Sequence, residues 1–371
     1  MKEILDEQAL TERLITYDTS NPEGIKKAAG FVKGWLEARD IRVEELGIRE
    51  MPVLAATVGQ QGAPKVVLHG HLDVVPGRQE QFTPRIEGDR LYGRGAYDMK
   101  GALAAMMGAL QELREERGVN VLFAVVPDEE SEEEIDRGTD FLIRNGYTGD
   151  FAVTGEPTDL HIGVQAKGVL ALRLEVSGTA AHGSTPWLGD NAILKALDVF
   201  RSIESLPFAR ESSDLFDRPS INLGRILGGD RLNKVPDSCV IDVDIRYLPG
   251  QDPATIRAQI AELPYVSVVA QFHRMPAIVE RNNPFVQVLS ECASKLLDTE
   301  TISVGRDGAS DAICFIEAGV PAVEYGPRGA GHHGPAEWVS LSSLESYRQT
   351  LVEFVRLIPK RLSGEPHLRI A

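Results

Sequence analysis

Three short apolar runs punctuate the first part of the chain: Val66-Val67-Leu68, Val121 to Val126, and Phe151-Ala152-Val153. Each is too short for a helix and shows no polar alternation, which predicts strands buried on both faces. Between them, residues 99–113 and 134–143 space their apolar positions at helical intervals. Strand alternating with helix predicts an α/β layered sheet. From Val169 the period changes. Leu170, Leu172, Leu174 and Val176 alternate with Ala171, Arg173 and Glu175, as Ile241, Val243 and Ile245 do with Asp242, Asp244 and Arg246. Period two with one polar face predicts a sheet covered on one side only. Helical stretches fall between, at 191–203 and 253–263. After Pro284 the first pattern returns, with helices at 285–297, 309–318 and 341–357 and a buried strand at 321–325. The expectation is one α/β domain in two parts, 1–168 and 282–371, interrupted by a smaller α+β domain at 169–281.

Composition narrows the function classes. The 371 residues are 43% hydrophobic and 25% charged, as in ordinary globular chains. A formal charge of −16 argues against partners that need clustered Lys and Arg, namely nucleic acid and anionic membrane surfaces. Cys239, Cys292 and Cys314 are widely spaced and form neither a zinc pattern nor a disulfide framework, which fits a reducing compartment. No apolar run approaches the ~20 residues of a membrane span. The charged start, Met1-Lys2-Glu3 onward, is unlike a signal peptide. A soluble cytoplasmic protein is expected.

Chemistry gathers just after the predicted buried strands. His69-Gly70-His71-Leu72-Asp73 follows the first, Asp128-Glu129-Glu130 the second and Glu156 the third, while His332-His333 lies beyond the fourth. Ligands of open α/β sheets bind at the carboxyl ends of the strands, and acids with imidazoles there can build a metal site. In an extended segment Asp73 would share a face with His71, placed to orient a ligating imidazole. Taken alone, His71 also suits a hydrogen-bonded core histidine, and Asp98, within Gly93 to Gly101, suits a helix N-cap. Of the six acids between Asp128 and Glu134, Glu132, Glu133 and Glu134 read as a solvated face. Glu129 and Glu130 lie nearer the strand end, where one can face a metal and the other a water.

Five motifs occur in order: His69 to Gly77, Gly93 to Gly101, Asp128-Glu129-Glu130, Gly155-Glu156-Pro157-Thr158 and His333-Gly334-Pro335-Ala336-Glu337. Together they resemble the acetylornithine deacetylase / succinyl-diaminopimelate desuccinylase family, which also holds glutamate carboxypeptidase, aminoacylase and several peptidases. The resemblance implies a mixed-sheet, zinc-exopeptidase-like catalytic domain with an inserted lid and dimerisation domain. It implies two divalent metal ions, zinc first and cobalt or manganese as alternatives. His71 and Glu156 would bind one ion, Glu130 and His333 the other, and Asp98 would bridge them across a cis Asp98–Met99 peptide. Asp73 would orient His71, and Glu129 would be the general base. In the inserted domain, Gly178 to Pro186 resembles the family's lid motif, so His182 would donate to the oxyanion. Asn233 and Arg246 resemble substrate-carboxylate contacts, and Gly308, Ser310 and Asp311 a substrate-side loop. Ala166-Lys167 departs from the Arg pair of bacterial desuccinylases, and Lys lacks the fork that grips a carboxylate.

The expected reaction is metal-assisted hydrolysis of an amide in an N-acyl amino acid such as acetylornithine, acetyl-lysine or succinyl-diaminopimelate. A dipeptidase or carboxypeptidase is the alternative within the family, and a non-catalytic binding relative the alternative outside it. Expected partners are the small substrate and a second copy of the chain.

Overall fold

A computed structural model of the chain describes residues 7–131, 137–297 and 303–362. The chain divides into two compact units, one comprising Met1–Val164, Val279–Val304 and Ser310–Ala371, the other Gln165–Ile278 and Gly305–Ala309.

The first unit is built on a mixed sheet. Its strands run in the order Val43–Ile48, Met51–Gly59, Asn120–Val126, Lys65–His71, Phe151–Thr154, Ala322–Glu324, Ile162–Ala166. The four central strands, from Asn120–Val126 to Ala322–Glu324, are mutually parallel and almost wholly buried, as their unbroken apolar runs demand. The outer pairings are antiparallel. One face of the sheet packs Val67, Leu122, Ala124 and Ala152 against Leu142 and Phe315 of the short helices Gly138–Arg144 and Ala312–Glu317. The helix Gly101–Leu113 packs against strands Lys65–His71 and Asn120–Val126. With ~1.5–3 kcal/mol for each fully buried large apolar side chain, these layers hold the parallel strand ends in place. A separate small sheet pairs Trp338–Ser340 with Arg90–Tyr92, which brings Glu337 beside the loop from Gly93 to Asp98.

The second unit is a four-stranded antiparallel sheet in the order Ser220–Gly228, Ser238–Tyr247, Gly168–Ser177, Val266–Arg274. Leu170, Leu172, Leu174, Ile241, Val243 and Ile245 form one core with the helices Ala192–Ile203 and Pro253–Ala261. The alternating polar residues stay on the uncovered face, where Arg173 grips Asp242 with two bonds of 2.7 and 2.8 Å. Asn191 and Asp252 cap the two helices by accepting backbone N–H bonds.

Several boundaries differ from the periodicity. The helix expected from 99 starts at Gly101, because Asp98 (φ −120°, ψ 93°) and Met99 (φ −134°, ψ 35°) are not helical. The stretch expected at 309–318 is helical only over Ala312–Glu317, and of the described part of 134–143 the helix Gly138–Arg144 begins at Gly138. Glu132, Glu133 and Glu134 lie outside the described residues. Gly305–Ala309 groups with the second unit because Gly305 lies flat against Phe216, where any Cβ would stand 2.6 Å from the ring, and because Lys167 N–H donates to Arg306.

Candidate metal centre

His71 ends the strand Lys65–His71, and Leu72 continues the ladder by one bond to Val126 before the chain turns. The ring Nδ1 lies 3.0 Å from the Asp73 carbonyl oxygen and 3.3 Å from its carboxylate. A carbonyl can only accept, so Nδ1 carries the proton and Nε2 is left to face Asp98 Oδ1 at 3.2 Å. Asp73 therefore meets His71 Nδ1 through its main chain as well as its carboxylate. Its carboxylate has a second task that the sequence did not reveal. It accepts the backbone N–H groups of Glu129 (3.1 Å) and Glu130 (2.7 Å), tying the end of one parallel strand to the end of the next.

Asp98 is the centre of the cluster. Its Oδ1 faces His71, and its Oδ2 lies 3.6 Å from His333 Nε2. His333 Nε2 is also 2.8 Å from Glu130 Oε1. Two sets of potential donor atoms, His71–Asp98–Glu156 and Asp98–Glu130–His333, share Asp98, and within each set the atoms lie within 4.8 Å of one another. A third set joins His71, Glu129 and Glu130. The Asp98–Met99 peptide is cis.

Glu337 holds this loop. It is 2% exposed, and it accepts the N–H groups of Gly95 (2.9 Å), Tyr97 (3.1 Å) and Asp98 (3.1 Å) as well as Arg94 Nη1 (2.9 Å). Arg94 also donates to the His333 carbonyl at 3.3 Å, steadying a residue held in the left-handed region at φ 61°. In the sequence Glu337 stands only as the last residue of the motif that opens with His333.

The charges are tightly coupled. Burial opposes a charge on His71, yet Asp73 and Asp98 outweigh it and hold the imidazole well above its ordinary value. Hydrogen bonds that its ring donates to Asp98 and Glu130 lift His333 to about 10. Burial pushes Glu129 and Glu156 well up, and Asp98 adds to the effect on Glu156. Burial also works to raise Asp98, but His333 and His71 prevail and keep it ionised. Glu156 Oε1 is buried with no hydrogen-bond partner. Glu156 offers one oxygen to the His71–Asp98–Glu156 set, and a buried carboxylate with an oxygen lacking a donor is what a divalent cation would satisfy. The O/N donor set suits zinc, cobalt or manganese. The residues therefore fit the expected metals.

In the second unit, His182 is exposed, and the Ser184 N–H donates to its Nδ1 at 3.1 Å, so Nε2 carries the proton. His182 bridges to Lys234, and Gly183 N–H donates to the Asn233 carbonyl at 2.7 Å, so the structure brings His182 and Asn233 onto adjacent segments. Arg246 stands on the uncovered face of that sheet, its Nε 3.1 Å from Asp244 Oδ2. Gly308 is exposed. The Ser310 hydroxyl, expected on the substrate side, is buried and donates to Glu324 Oε1 at 2.7 Å. Asp311, expected beside it, is 1% exposed and accepts the Thr139 hydroxyl. His69, placed at no ligand position, is buried in the same network.

A sequence profile of peptidase family M20/M25/M40 matches residues 67–357. The succinyl-diaminopimelate desuccinylase of Erythrobacter litoralis is 29% identical over 329 residues, covering 81% of this chain and 84% of its own. A Pyrobaculum aerophilum protein, provisionally named a LysW-lysine/LysW-ornithine hydrolase, is 29% identical over 96% of this chain and 99% of its own. Among solved structures, aminopeptidase PepT of Bacillus cereus superposes with a TM-score of 0.77 at 20% identity, covering 95% of this chain and 97% of its own. The M20 family metallo-carboxypeptidase of Sulfolobus solfataricus gives 0.75 at 19% identity, with 97% and 100% covered.

Proposed function

Because the chain belongs to peptidase family M20/M25/M40 and is a hydrolase of amide bonds, we propose that it deacylates an N-acyl amino acid at a centre of two divalent ions, zinc in the first instance. The observation that carries this reading is Asp98, with one carboxylate oxygen toward each of two imidazoles and the unpartnered Glu156 oxygen alongside. His71, Asp98 and Glu156 would hold one ion, and Asp98, Glu130 and His333 the other. Bound there, the ions would polarise the scissile carbonyl and acidify a water. Asp73 keeps the His71 proton on Nδ1, so that Nε2 stays available as a ligand. Glu129, whose proton affinity is raised by burial, takes a proton from the attacking water and returns it to the leaving nitrogen.

The domain at about 169–281 is assigned as lid and dimerisation domain. His182 is assigned as a donor to the oxyanion, and its protonated Nε2 supports that role. Arg246 and Asn233 are assigned to the substrate carboxylate, and Gly308 and Ser310 to further substrate contacts. Since its hydroxyl is committed to Glu324, Ser310 would act through its main chain. A homodimer is supported by apolar side chains left exposed in the second unit, Leu194 (61%) on a helix and Leu227 (56%) on the edge strand. Three buried cysteines that form no disulfide, Cys239, Cys292 and Cys314, support a cytoplasmic location. Among the described residues no helix is long and apolar enough to cross a membrane.

The test is amine release by the zinc- or cobalt-loaded protein from N-acetyl and N-succinyl amino acids and dipeptides, read by mass spectrometry. Cleavage confined to acyl amino acids is expected. Cleavage of dipeptides alone would make the protein a peptidase. Glu129→Gln should abolish turnover and keep the bound metal, and an active Glu129→Gln enzyme removes Glu129 as the base.

A further inference from the structure

The Glu129 side chain has a neighbour that the reaction scheme above does not use. Asp73 holds only its backbone N–H. Arg137 Nη1 lies 4.0 Å from Glu129 Oε1 and 3.5 Å from Asp311 Oδ1, so one guanidinium nitrogen stands between two carboxylates. Among the described residues it is the Lys or Arg cation within ion-pair distance of Glu129.

Asp311 is locked from behind. It accepts the Thr139 hydroxyl at 2.5 Å, and that hydroxyl oxygen lies 2.8 Å from His69 Nε2. Since the Thr139 proton goes to Asp311, its oxygen accepts from His69. His69 is fully buried, its ring packed edge-on against Phe315. Asp311 is 1% exposed, and the Arg137 guanidinium is, among the described residues, the Lys or Arg cation within ion-pair distance of it. The line from His69 to Glu129 starts on the strand that carries His71 and ends at the strand end that carries Glu130.

We propose that Arg137, anchored by Asp311, is a positioning residue that draws Oε1 of Glu129 toward its guanidinium and leaves Oε2 free for the proton of the reacting water. This rests on Glu129 being the base. A carboxylate on a flexible side chain has several rotamers, and a fixed cation beside one oxygen selects among them. The competing reading is that Arg137 only balances Asp311, with Glu129 a bystander.

Arg137→Met and Arg137→Lys in the full-length, metal-loaded protein separate the two. Positioning predicts that Arg137→Met lowers kcat by roughly 10²-fold, the cost typical of a misplaced reacting group. KM, the bound metal and the visible spectrum of the cobalt form should not change, since no proposed ligand is altered. Arg137→Lys should recover part of the loss by restoring the cation. An undiminished kcat in Arg137→Met overturns the proposal, and so does a loss of kcat that accompanies loss of metal and is not rescued by Lys. Should Arg137→Met fail to fold, Asp311→Asn, which keeps the shape and removes the anchor's charge, must show the same selective fall in kcat. Full activity there overturns the proposal equally. Glu129→Gln is measured in parallel. If it remains active the base assignment itself fails, a result distinct from an inactive Glu129→Gln beside a fully active Arg137→Met.

Discussion

Replacing Glu337 by Gln changes one atom and tests how the site is held. Each carboxylate oxygen of Glu337 serves two donors, Oε1 the N–H groups of Tyr97 and Asp98, Oε2 the Arg94 guanidinium and Gly95 N–H. An amide must turn its NH₂ toward one of these pairs and confront two donors with a third. Facing Arg94 and Gly95, the NH₂ would oppose a guanidinium that is 3% exposed, at about 3–5 kcal/mol, and would strand the Gly95 N–H at a further ~1–3 kcal/mol. The cheaper choice faces Tyr97 and Asp98 and strands two backbone donors at ~1–3 kcal/mol each. The expected loss is therefore about 2–6 kcal/mol, a large share of the ~5–15 kcal/mol of a typical domain. The cheaper rotamer also pushes on the Asp98 backbone, whose carboxylate faces both His71 and His333. Zinc affinity should fall by roughly 10–100-fold, the usual effect of losing a group that orients a ligand. The assay is urea unfolding of metal-free wild type and Glu337→Gln, with zinc affinity from competition against a chromophoric chelator. A midpoint within ~0.5 kcal/mol of wild type, in the range of a bland surface change, together with unchanged zinc affinity, would refute the reasoning.

Other consequences follow from the buried charges. In the metal-free protein His333 holds its proton up to about pH 10, stabilised by Asp98 and Glu130. Because its folded value is raised, that stabilisation is complete below the ordinary histidine range and is lost as pH climbs through about 10. Zinc binding near pH 7 must displace that proton, so calorimetry in buffers of different ionisation enthalpy should report proton release that declines toward pH 10. A release that does not vary with pH would contradict the assigned hydrogen bonds. Burial pushes the Cys292 thiol up to about 12, so it should resist iodoacetamide at pH 8 in the folded protein and react once unfolded, as mass spectrometry of the labelled peptide would show.

Periodicity alone located the parallel strands and the change to a one-sided sheet after Val169, because burial on two faces and on one face leave different signatures in sequence. It also delivered the chemistry to one end of the sheet, since the acids and imidazoles follow the apolar runs. The hairpin of Val43–Ile48 and Met51–Gly59 and the strands Ser220–Gly228 and Val266–Arg274 escaped it, the last two because their side chains are largely exposed and their apolar spacing weak. The resemblance supplied the candidate ligands, but a motif names residues without saying what holds them.

What holds them is tertiary. Glu337 collects four donors from a loop more than two hundred residues earlier in the chain, and Asp73 joins two strand ends that are adjacent only once the sheet forms. Thr139, Asp311 and His69 make a buried line that no local spacing announces. The resemblance puts Ser310 and Asp311 on a substrate-side loop, yet both side chains point into the protein, where a hydroxyl and a carboxylate must find partners. The order of residues along the chain determined which side chains could do chemistry and which sheet end would present them. The fold decided which of these polar groups are satisfied by the protein and which, like the Glu156 oxygen, are left for a cation, because burial makes every unpaired polar atom costly.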